Sequence, residues 1–148
     1  AACQVGSISG LGTEAEVNAL KSFGTNFGMT FQLIDDAIDY SSSKKILGKN
    51  TGDDFKEGKI TLPIILAYGR SNDKEKKFWE RTISKLNQND GDFEMALEII
   101  NKYQCIEDTL TRANHFSNVA VDSVDIFKDN IYKEKLVSLV TKSVSRIY

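Results

Sequence analysis

Between residues 13 and 41 the apolar side chains Val17, Leu20, Phe27, Phe31, Ile34 and Ile38 recur at spacings of three, four and seven. That period places them on one side of a helix and rules out a strand, whose inward face repeats every second residue. Thr13, with Glu16 three positions on, supplies a capping box for the helix start, and Ser41-Ser42-Ser43 followed by Lys44-Lys45 marks its end. The rest of the chain offers a sheet little to build on. It holds one proline in 148 residues, no Asn-Gly or Asp-Gly turn between alternating apolar residues, and no sustained period of two. An all-α fold is therefore expected. Pro63 suits the first turn of a helix restarting at Thr61-Leu62, where its missing N–H costs nothing. Further helices are expected at 73–88, 92–103, 106–128 and 131–147, with a loop over 41–60 and a helix-to-helix turn containing Gly6, Gly10 and Gly12. Val119, Val124, Phe127, Val137 and Val140 read as core.

Composition excludes several functions. The 19 Lys and Arg are outnumbered by 21 Asp and Glu, so there is no basic surplus to neutralise nucleic-acid phosphates. No stretch approaches the ~20 consecutive apolar residues that span a bilayer. His115 is the only histidine, and Cys3 and Cys105 lack metal-ligand spacing, which leaves zinc without ligands. Both cysteines read as small buried residues in a reduced, cytoplasmic setting, and His115 as a surface or partly packed residue. The run from Lys74 to Arg81 mixes charges on an amphipathic helix and reads as a solvated face.

Within the long helix, Gln32, Asp35, Asp36 and Asp39 occupy i, i+3, i+4 and i+7, one polar stripe between apolar flanks of Phe31, Ile34 and Ile38 and of Leu33, Ala37 and Tyr40. No Lys or Arg occurs between Lys21 and Lys44. Like charges one turn apart repel, more so when half-buried, so the stripe suits a cation, the alternative being an exposed acidic helix end. Mg²⁺ suits it, since that ion binds through one or two carboxylates together with substrate phosphates. An EF-hand is excluded because the aspartates lie in a helical pattern and not in a calcium-type loop. Downstream, Gly48-Lys49 and Gly52 to Lys59 combine glycines, which let backbone N–H groups approach an anion, with the ammonium groups of Lys49 and Lys59. This is no Walker A loop, because Asn50 follows Gly48-Lys49 where Ser or Thr is needed. Carboxylates, metal and lysines together suit a diphosphate.

The run Phe31-Gln32-Leu33-Ile34-Asp35-Asp36-Ala37-Ile38-Asp39-Tyr40, then Gly48-Lys49 and Gly52-x-Asp54-x-x-Glu57-Gly58-Lys59-x-Thr61-Leu62-Pro63, resembles the trans-polyprenyl diphosphate synthases. It is similar to that family's second aspartate-rich motif and the elements that follow it. The resemblance implies an isoprenoid synthase-type helical bundle, a homodimer, and elongation of an allylic diphosphate with isopentenyl diphosphate. It implies Asp35 as the principal Mg²⁺ ligand, supported by Asp36 and Asp39, with Asp35 and Lys49 catalytic. Lys49 and Lys59 would hold the allylic diphosphate, Gln32 would contact substrate and Phe31 would line the site. Asp54 and Thr61 would order the loop. The family's first aspartate-rich motif and its isopentenyl diphosphate residues have no match here. Residues 1–148 are accordingly expected to form the C-terminal portion of a synthase domain, inactive alone, as the missing initiator Met also suggests. The alternative is a non-catalytic helical subunit or regulatory fragment that pairs with another prenyltransferase chain.

Overall fold

The computed structural model describes residues 1–41 and 52–147, and among them every regular element is helical. The order is α1 (Ala2–Ser9), α2 (Glu14–Asp39), α3 (Asp53–Lys56), α4 (Leu62–Arg70), α5 (Asp73–Trp79) continued by a π-helical turn (Glu80–Ser84), α6 (Asp92–Lys102), α7 (Cys105–Ser123) and α8 (Ile131–Val144), which ends in a 3₁₀ turn (Ser145–Ile147). α2 begins on the expected capping box: Glu16 accepts the Thr13 N–H at 2.7 Å while Thr13 Oγ1 accepts the Glu16 N–H at 3.4 Å. Pro63 lies in the first turn of α4.

Four boundaries depart from expectation. The 41–60 loop contains α3. The helix expected over 73–88 stops at Ser84, because Leu86 turns left-handed (φ +50°) and Gln88 Nε2 folds back onto the Thr82 and Phe55 carbonyls at 3.0 and 2.8 Å. The helix expected over 106–128 stops at Ser123, where Val124, Asp125 and Phe127 donate to carbonyls three residues back and tighten the chain into turns. Gly6 lies inside α1, while Gly10 and Gly12 follow it in the turn.

The chain divides into two compact units, Ala1–Ile34 with Thr111–Tyr148, and Asp35–Leu110. The first is built around Phe23, Ala120, Val124 and Val140, with Cys3, Leu20, Phe127 and Val137 packed against them. Gly24 lets α1 come close to α2, since a Cβ there would sit 3.0 Å from Cys3 Sγ. In the second, Trp79 (2% exposed) shares a buried cluster with Tyr40, Phe55, Ile64, Phe78, Ile83, Ile99 and Ile100, and its indole N–H donates to Ser71 Oγ at 3.2 Å. Burying such side chains supplies most of the stabilisation, roughly 1.5–3 kcal/mol for each large apolar group. The expected solvated face holds on its charged side only, because Phe78 and Trp79 turn inward. Cys105 is fully buried and Cys3 half-buried, both as free thiols, and His115 is exposed.

Candidate functional site

Asp35, Asp36 and Asp39 lie in the last two turns of α2, next to buried Ala37 and Tyr40. Asp36 is itself buried, while Asp35 and Asp39 are half-exposed. A helix C-terminus carries partial negative charge, and α2 has no basic residue in its last turn. Carboxylates here therefore add to an already negative end.

Asp39 ties the stripe to the glycine-framed turn. Its carbonyl accepts the Gly52 N–H at 3.0 Å, and its Oδ2 accepts the Asp54 N–H at 3.0 Å. Burial pushes the Asp39 carboxyl above the usual carboxylate range; the nearby Asp54 and Asp53 charges push the same way, and the backbone N–H groups oppose them. The turn is shaped by two left-handed glycines. Gly52 (φ +86°) lies against the Phe93 ring, whose nearest atom would be 2.6 Å from an added Cβ, and Gly58 (φ +67°) lies against Leu86, at 2.2 Å. Between them Phe55 is buried against Phe93 with ring centroids 5.7 Å apart. Asp54 Oδ1 and Glu57 Oε2 each hold Lys59 Nζ at 2.8 Å, and these hydrogen bonds push the ammonium further toward its charged form. Lys59 stays about half exposed, so swinging its head to another anion requires little desolvation. Asp54 thus ties Lys59 to the turn. Thr61 and Tyr40 are both buried, and the Thr61 hydroxyl lies close enough to the Tyr40 phenol to interact with it. Burial raises the Tyr40 phenol well above its ordinary range.

Lys49, with Gly48, is outside the described residues. Phe31 and Gln32 belong to the first unit, where both are exposed and the Arg146 guanidinium lies 5.1 Å from the Phe31 ring centroid. Sequence reasoning missed Arg146, Phe93, Leu86 and Gln88. The glycines signalled a close neighbour in the turn but could not name it.

Oxygen-only donors fit a hard divalent cation. Among the described residues, no group of three or more His, Cys, Asp or Glu side chains closes around one point. A cation on this stripe would accordingly complete its shell with water and diphosphate oxygens, as Mg²⁺ ordinarily does.

Helices throughout the described residues, an aspartate stripe and a glycine-framed lysine turn fit an isoprenoid synthase-type bundle, and solved structures share that fold. A decaprenyl diphosphate synthase from Rhodobacter capsulatus superposes with a TM-score of 0.90 at 36% identity, over 98% of this chain and 45% of that one. A polyprenyl synthase from Caulobacter crescentus CB15, complexed with calcium and isoprenyl diphosphate, gives 0.84 at 40% identity, over 96% and 43%. The chain belongs to the polyprenyl synthetase family, whose model matches residues 1–100. Octaprenyl diphosphate synthase of Haemophilus influenzae is 36% identical over 98% of this chain and 44% of that protein. The chain thus spans less than half the length of these relatives. Among the described residues no helix is long and apolar enough to cross a membrane.

Proposed function

We propose that residues 1–148 form the C-terminal portion of a polyprenyl diphosphate synthase domain, which condenses an allylic diphosphate with isopentenyl diphosphate. The observation that carries this is the Asp39 to Asp54 hydrogen bond, which joins the carboxylate stripe to the Lys59 turn. Asp35 and Asp36 would hold Mg²⁺, which supplies positive charge against the diphosphate as the allylic C–O bond breaks, and Asp39 would support them from one turn on. Lys59 would release its contacts with Asp54 and Glu57 to pair with that diphosphate, as would Lys49. Gln32 would contact substrate, and Phe31 would present its ring to the reacting carbons. Attack by the isopentenyl double bond on the allylic carbon, then loss of a proton, completes the elongation. A homodimer working in the cytoplasm fits this reading.

The test is calorimetric titration of inorganic diphosphate into the chain with and without Mg²⁺. Binding should require Mg²⁺ and vanish in Asp35→Ala. Binding that ignores both would contradict the proposal.

A further inference from the structure

α3 starts where an ordinary cap cannot be used. Its N-cap residue is Gly52, which has no side chain to accept the first N–H groups of the turn. Ser, Asp or Asn cannot take its place, because φ is +86° and the Phe93 ring fills the space a Cβ would need. The cap therefore comes from α2. Asp39 accepts Gly52 N–H on its carbonyl and Asp54 N–H on Oδ2. Asp54 passes the constraint on, accepting the Lys59 N–H on its carbonyl at 2.9 Å and Lys59 Nζ on Oδ1 at 2.8 Å.

We propose that Asp39 is a positioning residue, fixing the Gly52 to Lys59 turn against the end of α2 through its acceptor oxygens and not through its charge. Asp35 and Asp36 keep the cation-holding role, and Asp39 sets where Lys59 stands. That last consequence rests on the synthase reading above; the clamp itself does not.

An asparagine at 39 keeps an acceptor oxygen and loses the charge, and Asn caps helices as well as Asp. Amide hydrogen exchange measured by NMR on the full 148-residue chain separates the two roles. Asp39→Asn should leave Asp54 exchange within about 3-fold of the parent, whereas Asp39→Ala should raise it by about 10-fold or more with α6 amides unchanged. Equal loss in both variants, or no change in Asp39→Ala, overturns the clamp. Should Asp39→Ala expose α6 as well, Asp39→Asn decides: retained protection supports the clamp and lost protection overturns it. With Mg²⁺ and inorganic diphosphate as probe, Asp39→Asn should bind within about 3-fold of the parent. Affinity lost as fully as in Asp39→Ala, with the Asp54 amide still protected, overturns the positioning role. A parent chain that binds no diphosphate sinks the synthase reading, while amide exchange still decides the clamp.

Discussion

Two helices of the second unit begin on left-handed glycines, α3 at Gly52 (φ +86°) and α6 at Gly91 (φ +87°), and each has an aspartate beside it. At α6 the aspartate is Asp92, which receives Arg81 through two 2.8 Å hydrogen bonds and also accepts the Asn89 N–H. The Arg81 hydrogen bonds, with help from Asn89, hold its carboxyl below the usual range. At α3 the aspartate is Asp39, which receives backbone N–H groups near two more aspartates, and its carboxyl is pushed up. One aspartate is matched by an arginine, while at the other corner the described residues bring Asp39 backbone N–H groups. A carboxylate kept in surroundings that disfavour its charge costs stability, and a binding site is where that cost is offset by a ligand.

The largest test of the matched corner is Trp79→Ala, which empties the core beside it and should lose about 3–5 kcal/mol by urea unfolding. A loss below about 1 kcal/mol would mean that the indole is not the packing centre. The glycines come next. Gly52→Ala should cost about 2–4 kcal/mol, since a left-handed alanine also meets the Phe93 ring. Gly91→Ala, with nothing within 4 Å, should cost only the backbone share of about 1–2 kcal/mol, so equal losses would break the comparison. Arg81→Ala takes two hydrogen bonds from the Asp92 carboxylate and should lower stability by less than Gly52→Ala does.

The smallest effects are those of pH. Glu75 receives Lys102, the Asn72 N–H and Tyr103, and its carboxyl is lowered to about 2. Its stabilisation is present above the ordinary value of 4.5 and is lost as pH falls from there toward 2, so Glu75→Gln should flatten the acid limb of a stability profile. Asp39 has the opposite sign. Its raised value favours the folded state below its ordinary 3.8, and that contribution is lost as pH rises through the folded-state value. Without cation at neutral pH, Asp39→Asn should therefore stay within about 1 kcal/mol of the parent, whereas Asp92→Asn should destabilise more.

Helix order and the long α2 were legible because apolar period, capping box and Pro63 are local signals. α3 was not, since four residues have no period of their own and the turn is held by Asp39 and Phe93 from distant positions. The ends at Ser84 and Ser123 were missed for a similar reason: Leu86 packs on Gly58, and Val124 folds into the first unit's core. Of the site, the aspartate stripe and Lys59 could be read from spacing and motif. The division of labour within the stripe could not, because Asp35, Asp36 and Asp39 are one residue type and differ only in what folds against them.

Manganese-induced line broadening of backbone amides, followed by NMR on the 148-residue chain, tests the charge comparison most directly. Selective broadening around Asp35 to Asp39 and Gly52 to Asp54, with Asn72 to Glu75 and Asn89 to Phe93 untouched, is the predicted result. Broadening that is equal at both corners, or stronger around Asp92, would contradict a cation site at the end of α2.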